Sequence, residues 1–583
     1  MGGRPPLPRV GALVVAFGLV LGACTDDGPS ITSPAESARE FLGAWSEADG
    51  KAMHGMLDQE SSAEWSPRSL RKFLHGALES GEIESFEVGL AEEVSAPDAD
   101  RVLESEAPFE ISVPYTITYG SAAMDEEVVL NGTVDLVYDE RSDTWDSAFD
   151  RSMMWPGLGG ADGFEVVRKA PRRGRILDRQ GRVVARGTGL DRTYPFGSLA
   201  GTTIGHLTTV TRKTLKKAPE GAEVGNIVGG SGIEAAYEDR LAGTPGTDLV
   251  VVDAKGQRLV TLESTEGTNG KDVKATLDMR VQRATSNSFG STVGGTVVMQ
   301  PKSGDVLAAV SAYEIDPNAY VGVTGVDPFN RALSGLYPPG SSMKVVTAGA
   351  ALDTGVVTPS TRLTGPGEFR GVRNFESGVY PRLDFRTAVQ FSVNTAFAQV
   401  ALDIGSKRLT DYAEAFGFNE KPRSPVEIAT PSFPFPEDQT TLMWGSIGQA
   451  QDLATPLAMA SVGATVANGG VRMEPRVTSH DPKEGTRVLA KKTAKTLAGL
   501  MERVVQGGTG TAASIGGVRI AGKTGTAEVE VNGGIQNHAW FVTFAPVGAP
   551  KAAMAVVSEF GGVGGQVAAP IARDIYGGIL PLL

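Results

Sequence analysis

The sequence predicts a multidomain α+β protein. An N-terminal α+β domain places two helices before a curved, cone-like sheet, a basic segment follows, and a C-terminal domain sets an antiparallel sheet under helices. Three observations predict this. The chain has 583 residues, enough for about three to five domains. Its charge changes abruptly near residues 24 and 150: residues 25–150 hold 29 acidic and 7 basic side chains, a net −22, whereas 151–275 are net basic and 276–583 nearly neutral. Strand signals open and close residues 276–583 with helical stretches between them, the order of one sheet covered by helices.

Composition bounds the function. Apolar residues make up 41% and charged residues 21%, ordinary globular usage that excludes a largely disordered chain. A single cysteine excludes an internal disulfide framework and multi-cysteine metal sites, and five histidines argue against a His-rich centre. No cofactor or metal is expected. The acidic total argues against nucleic acid as a partner.

The N-terminus carries Arg4 and Arg9, then 14 uncharged residues from Val10 to Ala23. That run is too short for a spanning helix, which needs about 20 residues, and fits the apolar region of an export signal. It ends Leu21-Gly22-Ala23-Cys24 before a polar stretch. This resembles a bacterial lipobox, which implies a lipid on Cys24 and a body held at the outer face of the cytoplasmic membrane. Residues 1–24 are read as the signal and 25–34 as a linker.

Residues 35–155 are expected to form the acidic domain. Ala38, Phe41, Leu42, Trp45 and Ala48 fall on one helical face within 35–57, and a second helix is expected over about 67–78. Alternating strands follow at 86–94, 109–119 and 127–138. In the next segment, 156–275, Arg168 to Arg186 contains eight basic residues and one acid. It lacks interleaved aromatics for base stacking, so a structural role, as a solvated face or an ion-pair network, is the expected use of that charge. From 276 onward, strands are expected at 295–299, 306–310, 518–521, 539–545 and 553–560. Helices are expected at 342–353, 384–404, 440–467 and 491–505.

Three motifs carry chemistry. In Pro338-Pro339-Gly340-Ser341-Ser342-Met343-Lys344, Ser341 is expected to open a helix and Lys344, three residues on, to share its face. A serine needs an adjacent base to become a nucleophile, and a lysine of lowered pKa serves. Ser392-Val393-Asn394 is the only Ser-x-Asn in the chain. Ser392 suits proton relay, and Asn394 suits orienting Lys344 or a substrate amide. Lys523-Thr524-Gly525-Thr526, after a strand-like run, suits recognition of a carboxylate by a strand edge. The Thr526 N–H, with that of Ser341, suits an oxyanion hole. Two partial matches are read as chance: Ser69…Lys72 in the acidic domain, and Lys302-Ser303-Gly304 in a hairpin turn.

Ser-x-x-Lys, Ser-x-Asn and Lys-Thr-Gly occur in order, and the first residues of successive motifs are 51 and 131 positions apart. That set resembles class B penicillin-binding proteins. Arg173-Gly174-Arg175-Ile176-Leu177-Asp178 and Gly232-Ile233-Glu234 resemble the family's non-catalytic pedestal, and the front domain resembles a nuclear-transport-factor-two-like domain. The resemblance implies a penicillin-binding transpeptidase fold over 276–583 and a pedestal, or dimerisation, domain over 156–275. It implies that Ser341 attacks the D-alanyl-D-alanine bond of a peptidoglycan stem peptide, that Lys344, Ser392, Asn394 and Lys523 assist, and that β-lactams acylate the same serine. A membrane glycosyltransferase and a cell-wall synthesis complex are the implied partners. A DD-carboxypeptidase or β-lactamase, and a non-catalytic scaffold or β-lactam sensor, are the alternatives. The second motif has Val393 where class A β-lactamases have Asp, which favours transfer over lactam destruction.

Overall fold

A computed structural model describes residues 31–531 and 533–583. The signal segment 1–24 with Cys24, and the linker up to residue 30, lie outside the described residues. The described chain forms two compact units, 31–169 with 246–266, and 170–245 with 267–583. Among the described residues no helix is long and apolar enough to cross a membrane.

In the first unit, helix α1 (Pro34–Ser46) buries Ala38, Phe41, Leu42 and Trp45. It stops short of residue 57 because Ala48 turns left-handed, at φ 52°. Helix α2 (Pro67–Ser80) starts at a capping box of Ser66 and Ser69. Strands β1 (Ile83–Leu90), β2 (Glu110–Ser121), β3 (Val128–Asp139) and β4 (Thr144–Ala148) pair in sequence order, all antiparallel. Alternation along β2 buries Val113, Tyr115, Ile117 and Tyr119, and these pack with Trp45, Phe149 and Trp155. A second sheet joins β5 (Ala161–Lys169), β6 (Gly246–Asp253) and β7 (Arg258–Thr265) in the order β7-β6-β5. Phe164, Leu249 and Val251 complete the same apolar cluster. The segment 156–275 is therefore shared between the units: buried Leu249 and Val251 and the ion pair of Asp248 with Lys169 hold β6 in the first, and β7 pairs with β6.

In the second unit, three arginines of the basic run, Arg173, Arg175 and Arg182, enter ion pairs, and Arg192 beyond it joins one of them. Glu234, fully buried, meets Arg192 and Arg173 at 2.8 Å each, and Arg173 reaches Glu238 at 2.6 Å. The larger part is a five-stranded antiparallel sheet. Its strands are β8 (Gly294–Met299), β9 (Val306–Ser311), β10 (Ala521–Val531), β11 (Gly534–Ala545) and β12 (Ala552–Ser558), in the order β9-β8-β12-β11-β10. Every residue of β8 is buried, since both faces are covered. Val298, Phe541 and Val556 pack with helices α3 (Met279–Phe289) and α8 (Ala568–Ile579). Val297, Trp540 and Val557 pack with α4 (Lys344–Asp353), α5 (Asn394–Ile404), α6 (Pro456–Ala467) and α7 (Lys491–Gly507).

Two expected helices are broken. The stretch 384–404 is interrupted before Asn394 by Ser392, at φ 57°. The stretch 440–467 is interrupted by a loop between Gly445 and Pro456. The strand expected at 518–521 starts at Ala521 and runs through the Lys-Thr-Gly motif itself.

Candidate active site

Ser341 lies in a single 3₁₀ turn, Gly340–Met343, that runs directly into α4. A 3₁₀ turn repeats every three residues, so Ser341 and Lys344 stack, and Lys344 Nζ lies 3.1 Å from Ser341 Oγ. Ser341 is half-buried, whereas Lys344 is 1% exposed. The left-handed turn at Ser392 aims both its oxygens at the same amine: Nζ is 2.9 Å from the Ser392 carbonyl and 3.2 Å from its hydroxyl. Lys344 also donates to Asn394 Oδ1, the first residue of α5. The Asn394 amide in turn donates to the Arg373 carbonyl at 2.7 Å, which fixes which end faces the lysine.

Lys523 closes the cluster from β10. Its ammonium donates to Ser392 Oγ at 2.8 Å and to the Thr524 carbonyl at 2.9 Å. Ser392 Oγ thus bridges two lysines. Burial pushes Lys344 well below the ordinary lysine range, and the nearby Lys523 charge pushes it further. Burial alone lowers Lys523 to about 7.

Backbone contact sets the distance between the turn and β10. Gly340 sits at φ 51°, and a Cβ there would come within 2.6 Å of the Thr526 carbonyl. A Cβ on Gly525 would lie 2.5 Å from Ser342 Oγ and 2.9 Å from the Pro339 carbonyl. Glycine at both positions lets the nucleophile turn meet the strand whose Thr526 N–H was expected to serve an oxyanion. Trp540 on β11 pins the turn by donating from Nε1 to the Pro338 carbonyl at 2.9 Å.

All the expected site residues within the described chain, Ser341, Lys344, Ser392, Asn394, Lys523, Thr524, Gly525 and Thr526, meet in this one cluster or along its strand. The two partial matches stay outside it. Ser69 is engaged in the cap of α2, and Ser303 hydrogen-bonds to Gln300 in the β8–β9 turn. Sequence reasoning missed Thr509, whose hydroxyl lies 2.6 Å from that of Thr524. Its signal was the run Gly507-Gly508-Thr509-Gly510 just before the strand. It also missed Gly564, whose N–H donates to Thr526 Oγ1 at 3.4 Å.

Comparison with known proteins gives three family matches along the chain. Residues 33–162 match the NTF2-like N-terminal transpeptidase domain, 187–275 the penicillin-binding protein dimerisation domain, and 294–577 the penicillin-binding protein transpeptidase domain. The chain is 31% identical to the peptidoglycan D,D-transpeptidase MrdA of Acinetobacter baumannii, over 67% of this chain and 66% of that protein. It is 34% identical to the peptidoglycan D,D-transpeptidase PbpA of Mycobacterium tuberculosis, over 55% of this chain and 74% of the relative. The matches thus span about two thirds to three quarters of these relatives' lengths. The Pseudomonas aeruginosa PBP2 complex with WCK 5153 superposes with a TM-score of 0.62 at 31% identity, covering 71% of this chain and 97% of that one. The ceftriaxone acyl-enzyme of penicillin-binding protein A from M. tuberculosis gives 0.58 at 28% identity, covering 70% and 99%. With its three motifs in one buried cluster and these relatives, the chain belongs to the class B penicillin-binding proteins, the family of peptidoglycan D,D-transpeptidases.

Proposed function

We propose that this protein cross-links peptidoglycan stem peptides by acyl transfer through Ser341. The carrying observation is the buried Lys344 amine 3.1 Å from Ser341 Oγ. Its lowered pKa favours the neutral form, which has two N–H groups and one lone pair. The N–H groups have acceptors in Asn394 Oδ1 and the Ser392 carbonyl. The lone pair is then left for the Ser341 hydroxyl proton.

Lys344 takes that proton as Oγ attacks the carbonyl carbon of the D-alanyl-D-alanine bond. The carbonyl oxygen becomes an oxyanion facing the Ser341 and Thr526 N–H groups, each such donor contributing about a hundredfold or more. The C–N bond breaks, and a proton passes from Lys344 through Ser392 Oγ to the departing D-alanine amine. An amine from a second stem then attacks the Ser341 ester and forms the cross-link. The proton it loses returns by the same relay to Ser341. Lys523 and Thr524 offer a cation and a hydroxyl to the substrate's terminal carboxylate. β-Lactams acylate the same serine. We further propose that a membrane glycosyltransferase supplies the glycan strands within a cell-wall synthesis complex, and that Cys24 carries a lipid anchor.

Fluorescent penicillin tests the nucleophile. Wild type and Ser69→Ala label and Ser341→Ala does not; equal labelling of Ser341→Ala would sink the assignment. Incubation with a stem-peptide donor and an amine acceptor tests transfer, and hydrolysis as the sole product would make the protein a carboxypeptidase.

A further inference from the structure

One buried histidine lies beside the site and takes no part in the acyl transfer just described. His538 is on β11, opposite Ala527 and so next in register to Thr526. Its ring is wedged between two others, with centroids 5.4 Å from Tyr337 and 4.9 Å from Phe560. Its Nδ1 accepts the backbone N–H of Phe560 at 3.1 Å. Phe560 is left-handed, at φ 53°, a conformation that a bulky residue holds only when its surroundings over-determine it.

The turn at Phe560 opens a short segment with several anchors around the site. Glu559 accepts from Tyr337 at 2.7 Å and from Arg331 at 2.9 Å. Gly562 donates to the Asn537 carbonyl at 3.0 Å. Gly564 donates to Thr526 Oγ1, and a Cβ on it would lie 2.2 Å from the Gly525 carbonyl. Residues 559–564 therefore tie the nucleophile turn, through Tyr337, to the strand that carries Thr526.

We propose that His538 is a positioning residue for acylation: by accepting the Phe560 N–H, it holds residues 559–564 against β10 and so keeps the Thr526 N–H in place. A backbone N–H only donates, so Nδ1 must keep its lone pair and the ring proton must sit on Nε2. A doubly protonated ring would set N–H against N–H and release the strained turn. The charged groups facing the ring are Glu559 and its partner Arg331, and Tyr337 adds a neutral phenol. Burial lowers the imidazole below its ordinary range, and the Glu559 charge opposes this only in part. The ring is therefore neutral at neutral pH and the contact is lost in acid.

This inference rests on Ser341 acylation, which wild-type labelling tests separately. Two amide variants isolate the contact. Asparagine places an oxygen where Nδ1 stands, whereas glutamine reaches the Nε2 position instead. His538→Asn should acylate with fluorescent penicillin within about threefold of wild type, and His538→Gln about tenfold or more slowly, with cooperative melts showing that both fold. The rate of His538→Asn divided by that of wild type should rise as the pH falls below the ordinary imidazole range. Titration of the two lysines cancels in that ratio. Equal rates for the two variants, or a ratio that stays flat with pH, would overturn the proposal.

Discussion

Lys344 works as a base only if an amine stays neutral while hydrogen-bonded on several sides, and two forces arrange this. Burial acts first, and the Lys523 charge second. The Phe397 ring, 5.2 Å from Nζ, pulls the other way by favouring a cation, but burial outweighs it. The acylation rate therefore falls as the pH drops through the Lys344 pKa, where the amine gains a proton. Lys523→Gln removes the repelling charge, raises that pKa and moves the acid limb of acylation to higher pH. Because Lys523 also donates to Ser392 Oγ, the plateau rate should fall about a hundredfold. Stopped-flow acylation across pH measures both, and an acid limb that stays in place would refute the coupling. Ser341, Lys344, Ser392, Asn394 and Lys523 were legible in the sequence because each motif pairs a reactive group with a spacing that dictates its neighbour. His538 was not legible. A lone histidine in a strand carries no local sign that a segment more than twenty residues onward will donate to it.

At the scale of elements, short-range grammar was read well and interruptions poorly. The alternation in β2 and the apolar face of α1 followed from periodicity, since side-chain direction fixes which residues meet the core. The breaks at Ser392 and after Gly445 did not. Ser392 is held left-handed by the tertiary contacts of its own oxygens with Lys344 and Lys523, which no local propensity encodes. The loop after Gly445 exists to meet the nucleophile turn: Gly340 donates to the Gly448 carbonyl at 2.8 Å, and a Cβ on Gly448 would lie 2.1 Å from the Gly340 carbonyl. The basic run, in contrast, was readable as structural charge, although not which of its arginines would be paired or that Glu234 would hold Arg173. Glu234→Gln leaves Arg173 and Arg192 buried without their shared anion. Breaking a buried pair in this way costs about 3–5 kcal/mol. Calorimetry should show the transition of the second unit moving to lower temperature, and an unchanged melt would show that the network contributes nothing to stability.

At the scale of the whole molecule, the composition assigns the acid to the first unit and leaves the reaction domain near neutrality. The lone cysteine tests attachment. Cys24→Ser should abolish incorporation of a fatty-acid analogue and release the protein from the membrane fraction; a variant that stays membrane-bound would place the anchor elsewhere. The charge steps found the N-terminal region but not its full extent, because β6 joins the first unit through buried Leu249 and Val251 and its pairing with β5, and β7 through its pairing with β6, none of which a charge step marks. That arrangement has a consequence for biosynthesis. A ribosome delivers residues 31–169 first, then the long excursion 170–245, and only afterwards the hairpin that completes the first unit's core. The unit that leads the chain thus cannot finish folding until part of the second unit has already been made. Until residue 266 has emerged, Phe164, which lies opposite Val251 in the sheet, lacks that partner, and chaperones have that interval in which to act.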